Sequence, residues 1–521
     1  MKSRISSHTS NLEGNSGNSL IYYVRDIIRD SSVDTMNELM AIILIWGAWV
    51  LIPILVDGVG TLVRLFIVLL YGRNYIEHDI SGDRLPTVTV IIPAHNEEKI
   101  IDRCLNSLKI QDYPHEKLEV FVIDDGSTDN TVHIVSNHVN GNGKNGNGKV
   151  KINRKLIPVG DFSGVIKLFT SGHKGKAAAL NTGIRHAHGD VIMNIDSDVV
   201  LAQDAIRHMA EEFIAHPELG AATGNIEINW EIMEERDRYG NLVLEQGEIK
   251  QKSLSFSERL LASCQFLEYL SAFRLGRQYQ ALVNSEYILS GAFSAFRRNV
   301  LRKSSLYSSR TVSEDFDLAL DIHRQHTRVG YVADAKAYVE PVCDLDMLYA
   351  QRVRWRRGQL EVCGLHKDMV GEKKFGYLGR FGLPSMLLTD HTVAFPRMVW
   401  SVLILFFPFL GYHPNVIAVF LIIMFALYVV LDFAQSTAAY FIVDSDTKRN
   451  IEGTFHYNFI LPFYRLLIFY FRMSGYLIVL KEPPQWKVGG PINGLKNGVK
   501  KLNGNGILNL TLIFRNNRKM S

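Results

Sequence analysis

Carboxylates placed just beyond short apolar runs are the residues of this chain best suited to chemistry. Asp124 and Asp125 end LEVFVIDD before GSTDNT, Asp196 and Asp198 follow VIMNI, and Asp315 sits in SED ahead of FDLALDIH. Residues two apart on an extended chain share a face, so Asp196 and Asp198 can approach one divalent cation. Hard oxygen ligands suit Mg²⁺ or Mn²⁺, which bridge phosphate oxygens and neutralise a leaving diphosphate. Basic residues complement them: His173, Lys174 and Lys176 precede the alanine-rich start of a helix, where side chains and amides can meet an anion. Each has a plainer reading. DDGS is a common turn, the lysines can be a solvated loop, Asp315 can cap a helix, and Trp355, among Arg352, Arg356 and Arg357, can anchor at a membrane interface.

The elements that must hold these residues follow from apolar pattern. TVTVIIP (87–93) is a buried strand, AHNEE leads into a helix over about 99–108, and a second strand begins at Leu118. Strand, helix and strand of this length form a βαβ unit with a right-handed crossover, whose carboxyl strand ends line a ligand crevice. The tract NGNGKNGNGK (140–149) is a flexible surface loop by composition and is assigned no chemistry.

Around this α/β segment the composition changes. The chain has 521 residues, 47% apolar and 21% charged, and its mean hydropathy of +0.03 fits a water-soluble domain fused to membrane spans. Residues 1–35 form a polar tail. In 36–72, an uncharged run over 39–55 and an apolar stretch over 61–71 carrying only Arg64 fit one tilted span or two short ones. Residues 80–375 make the α/β domain. Residues 379–480 hold an interfacial helix (379–391) and candidate spans at 393–411, 416–440 and 457–480, the last weakened by Arg465 and Arg472. Residues 481–521 are a basic tail. Its charge favours the cytosol, whereas three spans after a cytosolic domain put it outside, so its side stays open. A net charge of +4 is too small for nucleic-acid binding through bulk charge. Four scattered cysteines suggest neither a disulfide framework nor a zinc site.

The ordered set HNE, DDGSTD, KAAALN, DSD, SED and QRVRW resembles the family 2 inverting glycosyltransferases. The last motif resembles their processive membrane branch, which includes cellulose, hyaluronan, chitin-oligomer and poly-N-acetylglucosamine synthases. The resemblance covers about 86–358 and implies a GT-A, Rossmann-like α/β domain with flanking transmembrane helices. It also implies roles. Asp125 would bond the uracil of a UDP-sugar donor, with Pro93, His95 and Glu97 shaping the base pocket and Lys176 near the nucleotide. Asp196 and Asp198 would hold the Mg²⁺ or Mn²⁺. Ser290, Gly291 and Ala292 would face the acceptor, Asp315 would be the catalytic base, Gln351 and Arg354 would contact the diphosphate, and Trp355 would support the acceptor sugar. One carboxylate base with no second nucleophilic carboxylate implies a single inversion at the anomeric carbon.

The leading expectation is therefore an integral membrane enzyme of the plasma membrane, its catalytic domain cytosolic, that extends a β-linked glycan from UDP-sugar. Its partners are the donor, a glycan or lipid-linked acceptor and membrane lipids, with no nucleic acid. The alternatives are a non-processive transferase acting on a lipid-linked acceptor and, more remotely, a transporter or scaffold that only binds nucleotide. The block YLSAFRLGRQYQ either lines the acceptor path or packs under the membrane.

Overall fold

The computed structural model describes residues 53–72, 82–139, 149–152, 155–158, 163–235, 243–245, 248–411 and 413–479. The polar tail, the run over 39–52, nearly all of the Asn/Gly tract and the basic tail lie outside them. The chain divides into a unit ending at Val63 and a second beginning at Arg64.

The second unit is organised on an eight-stranded sheet. Its strands, in chain order, are β1 (Val88–Ala94), β2 (Leu118–Asp124), β3 (Val165–Thr170), β4 (Val191–Ile195), β5 (Val200–Leu201), β6 (Leu219–Ile228), β7 (Phe293–Arg297) and β8 (Arg328–Val339). They lie in the order β3-β2-β1-β4-β7-β6-β8-β5. β1 is parallel to both β2 and β4, and β7 runs antiparallel between β4 and β6. The chain moves outward in opposite directions from β1, which makes the β1/β4 boundary a switch point, where open α/β sheets bind ligands beyond the carboxyl ends of their strands.

Both faces of the central strands are covered, which is why these strands read as continuous apolar runs. Val88, Val90 and Ile92 face α1 (Ile101–Lys109), whereas the intervening Ile91 faces Leu180 and Ile184 of α2 (Lys176–His186). The same alternation divides Val120 and Val122 from Phe121 and Ile123. A smaller core joins Phe316 and Leu320 of α3 (Glu314–His323) to Val362 of α4 (Leu345–Leu365), the helix carrying QRVRW.

Among the described residues, two helical stretches are long and apolar enough to cross a membrane, 53–71 and α5 (Pro414–Tyr440), with hydropathies of 2.0 and 2.8. α5 exposes Val416, Val419, Leu421, Ile422, Ile423 and Val430, a stripe that a water-soluble protein rarely leaves uncovered. Segment 393–411 is interrupted: a helix over Ala394–Leu403 gives way to a short 3₁₀ turn over Phe407–Leu410. α6 (Leu461–Val479) carries both arginines of the last candidate span, and both are paired, Arg465 with Asp432 at 2.8 Å and Arg472 with Glu268 at 3.2 Å.

Candidate active site

The strand register delivers the motif residues to one edge. β1 and β2 end together, Ala94 opposite Asp124, so His95 and Asp125 leave the sheet side by side. The turns that follow are laced together. Asn96, at φ +59°, accepts the Thr128 amide at 2.8 Å, the Glu97 amide donates to Thr131 Oγ1 at 2.7 Å, and Glu98 accepts from the Asn130 amide at 3.0 Å. A left-handed backbone is tolerated by Asn better than by most residues, so Asn96 serves the turn as well as the lacing.

Asp125 is buried, and each carboxylate oxygen takes an amide, Lys174 N at 2.7 Å and Gly175 N at 2.8 Å. The His95 and His173 rings stack at 4.4 Å, and their Nδ1 atoms lie 2.9 and 3.1 Å from the Asp125 carbonyl oxygen. A carbonyl only accepts, so His95 Nδ1 donates to it, whereas His173 Nδ1 lies closer to Asp125 Oδ2, at 2.8 Å, and its N–H is shared between the two oxygens. The ligand atoms of His95, Asp125 and His173 lie within 4.8 Å of one another. Asp125 thus clamps the loop that begins α2 and sets the position of Lys176, the helix's first residue. Pro93 is buried inside β1, beneath this group.

A second group forms where β4 ends. Lys176 Nζ lies 2.6 Å from Asp196 Oδ1 and 3.8 Å from Glu314 Oε1. Burial works against the lysine's charge, but Asp196 and Glu314 outweigh it and hold Lys176 protonated. Glu314 is pushed up to about 7 by burial and Asp315, against the pull of Lys176. Asp198 is exposed at the surface, yet the protein packed around it withholds hydration, and with Asp196 beside it its pKa rises to about 6. Burial, with Asp198 nearby, raises Glu97 to about 7, which puts the HNE turn and the DSD turn in one electrostatic neighbourhood. Two crowded carboxylates of hard oxygens, one of them already balanced by Lys176, fit a divalent Mg²⁺ or Mn²⁺.

The catalytic-base candidate meets this group through the loop before β7. Asn194 Nδ2 donates to Gly291 O at 2.8 Å, the Asp196 amide to Ala292 O at 3.3 Å, and the Ser290 amide to Thr223 Oγ1 at 3.2 Å. The Gly291 amide then reaches Asp315 Oδ2 at 3.3 Å. A Cβ on Gly291 would lie 3.1 Å from Lys176 Nζ, 3.6 Å from Asp196 Oδ2 and 3.9 Å from Asp315 Oδ2, so the absence of a side chain leaves the space between these charges open. Asp315 Oδ1 is oriented by Ser313 Oγ and the Phe316 amide, each at 2.8 Å. Asp315 lies in the first turn of α3 and is not its cap; that position belongs to Ser313.

α4 is locked onto the SED loop. Glu361 accepts the Val312 amide at 3.1 Å, and Arg357, almost fully buried, holds Glu361 at 2.7 Å. A Cβ on Gly358 would stand only 2.5 Å from Ser313 Cβ. Gly358→Ala is therefore expected to force the SED loop away from α4 and lower kcat about tenfold or more, since small misplacements of a reacting group are costly. Steady-state kinetics on folded protein check it, and a wild-type kcat would contradict the packing. Gln351 and Arg354 lie one turn apart on α4, half-buried. The amide oxygen of Gln351 is buried without a hydrogen-bond partner, an unmet acceptor that a ligand hydroxyl or N–H would satisfy. Trp355 lies under the Arg352 guanidinium at 4.4 Å, with the Tyr269 ring centre 6.5 Å away.

Lys176, Asp196, Gly291 and Asp315 thus meet, with Glu97 and Asp198 adjoining. His95 and Asp125 form a neighbouring cluster, and Gln351, Arg354 and Trp355 share a helix fastened to the Asp315 loop. Glu314, Asn96, Asn194 and Thr223 were missed. Glu314 is adjacent in sequence to Asp315 and carries no separate signal; Asn96 had one, as the N of HNE.

The model of the family described as Glycosyl transferase family 2 matches residues 89–304. The chain is similar to the poly-beta-1,6-N-acetyl-D-glucosamine synthase of Staphylococcus aureus, 28% identical over 284 residues, 54% of this chain and 57% of that protein. It thus spans little more than half the length of that relative. The Staphylococcus epidermidis protein of the same name is 26% identical over 378 residues, covering 70% of this chain and 77% of that one. In fold, the chain is similar to the mannosyltransferase PcManGT from Pyrobaculum calidifontis, solved with GDP-Man and Mn²⁺, at TM-score 0.50 and 19% identity over 77% of this chain and 98% of that one. The motif residues of β1, β2, β4 and the loop before β7 all lie inside residues 89–304, the segment that matches the glycosyl transferase family 2 model, on a GT-A α/β fold.

Proposed function

We propose that the protein is an inverting glycosyltransferase that extends a β-linked glycan from UDP-N-acetylglucosamine. The observation that carries the reading is the meeting of Asp315, Lys176 and Asp196 around the side-chain-free Gly291. That arrangement sets a base beside the groups that manage a departing diphosphate. The sugar is suggested by the names of the staphylococcal relatives.

In the proposed step an acceptor hydroxyl oxygen bonds to the anomeric carbon while the carbon–diphosphate bond breaks on the opposite face. The hydroxyl proton passes to Asp315, and the nucleoside diphosphate departs with the electron pair. Ser313, Gly291 and the Phe316 amide hold the receiving carboxylate. Lys176 stays charged beside the diphosphate, Gln351 and Arg354 bind its oxygens, and Trp355 supports the acceptor sugar. Asp196 and Asp198 would hold Mg²⁺ or Mn²⁺, which supplies charge to the leaving diphosphate when bound. In this reading His95, Glu97, Pro93 and Asp125 receive the uracil. The outward apolar stripe of α5 and the stretch 53–71 would seat the enzyme in the plasma membrane, with the transferase domain in the cytosol.

The full-length protein in detergent, given Mn²⁺ and a panel of UDP-sugars, should release UDP fastest from UDP-N-acetylglucosamine and yield a ladder of products on a sizing gel. No release from any donor would refute transfer. A single sugar per acceptor would refute chain extension.

A further inference from the structure

An ion-paired cluster joins Arg352 of QRVRW to residues outside the sequence motifs, beside Trp355. Glu268, near the end of the helix Phe256–Tyr269, has a side chain 14% exposed. Its Oε2 accepts Arg352 at 2.6 Å and the Tyr464 hydroxyl at 2.7 Å, and its Oε1 accepts Arg472 at 3.2 Å. Arg352 is 1% exposed, and its guanidinium lies 4.4 Å over the Trp355 ring. Tyr269, next in sequence to Glu268, faces that indole from the other helix, with ring centres 6.5 Å apart. Tyr464 and Arg472 belong to α6, which approaches α4 so closely that a Cβ on Gly475 would lie 3.3 Å from Arg356 Cβ.

A buried arginine that loses its carboxylate partner is left as an uncompensated charge, and the face of an indole attracts the cation above it; the Tyr464 hydroxyl, 3.3 Å from Arg352, bonds the same Glu268 oxygen. The Arg352 guanidinium, held by Glu268, therefore lies against both rings, 4.4 Å from Trp355 and 6.0 Å from Tyr269, and the same carboxylate is shared with α6.

We propose that Glu268 is a positioning residue of the acceptor site, which fixes the Trp355 indole through Arg352 and ties it to helix α6 through Arg472. The inference rests on the transferase reading above, in which Trp355 supports the acceptor sugar. Glu268 touches neither donor nor acceptor. Its loss acts on chain extension and spares the donor site.

The test compares full-length wild type, Glu268→Gln, Arg472→Met and the double variant Glu268→Gln/Arg352→Met. Glu268→Gln alone leaves Arg352 buried without its countercharge and can fail to fold, whereas the double variant removes both charges together and Arg472, 38% exposed, lies at the edge of the cluster. UDP release against UDP-N-acetylglucosamine concentration and product length on gels are the readouts. The folded variants should keep donor KM within about twofold of wild type, lose about tenfold in kcat for extension and make shorter products. Adding Trp355→Ala to the double variant should cost no more than Trp355→Ala alone, because the two changes act on one element. A folded double variant with wild-type kcat and product length overturns the proposal. So does a kcat that falls only with the folded fraction, at unchanged length. Wild type that releases no UDP from any donor overturns the transferase reading, and this proposal with it.

Discussion

Asp315→Asn is expected to lower sugar transfer by about 10²–10⁴-fold while UDP binding stays at the wild-type level, because general-base assistance contributes about that much. The substitution keeps shape and removes basicity. An amide oxygen in place of Oδ1 still accepts Ser313 Oγ and the Phe316 amide, both at 2.8 Å in the wild type, so α3 keeps its first turn. The amide nitrogen then faces the Gly291 amide, which now donates to Oδ2 at 3.3 Å, and this mismatch falls on the acceptor side. Kinetics with UDP release, beside calorimetric binding of UDP with Mn²⁺, separate the two effects. Transfer within a few-fold of wild type would remove Asp315 from the role of base. Equal losses of transfer and UDP binding would make it a structural residue of the loop.

The local parts of this site were legible because they repeat with the period of their elements. β1 and β2 are buried on both faces and read as unbroken apolar runs, and the charged residues appear where the runs stop. Placing Asp125, Asp196 and Asp198 at strand ends needed only that pattern and the βαβ rule, whereas Asp315 came with the resemblance and its motif order. The clamp on Asp125 was not legible, since its donors are backbone amides of Lys174 and Gly175 and carry no side-chain signature. The placement of β7 between β4 and β6 was not legible either, yet it brings Gly291 from about a hundred residues away to Asn194.

Long-range pairing changed the meaning of other residues. Arg465 and Arg472 read in sequence as flaws in an apolar segment, but their partners are Asp432 and Glu268, the second 204 residues distant. No window of local periodicity contains both members of such a pair. The same holds for the block YLSAFRLGRQYQ, whose two readings were acceptor path and packing under the membrane. Arg274 and Arg277 in it are buried, one against the Ile442 carbonyl and the other against Thr223, the residue that also receives the Ser290 amide. The block thus packs beneath the loop assigned to the acceptor.

The second large effect is expected at Asp198, and the contrast with Asp196 gives it content. Lys176 lies 2.6 Å from Asp196 Oδ1, so the first carboxylate of DSD already has a cation of the protein's own. Asp198 is exposed, and its charge is the one left for a divalent ion to share. Removing it by Asp198→Asn should raise the Mn²⁺ concentration for half-maximal UDP release by about 100-fold and cut transfer at fixed metal by a similar factor, at the upper end of what a change in a metal's surroundings costs. Asp196→Asn should shift the metal requirement less and the donor KM more, because it releases Lys176 from the position it holds beside Gly291 and Glu314. Chelator should stop the wild-type reaction, and Mn²⁺ or Mg²⁺ should restore it. Titrations of UDP release against metal for the three proteins decide the matter. Equal metal dependence in wild type and Asp198→Asn would show that the ion is held elsewhere, and a larger metal shift at Asp196 than at Asp198 would reverse the division of labour that the Lys176 contact implies.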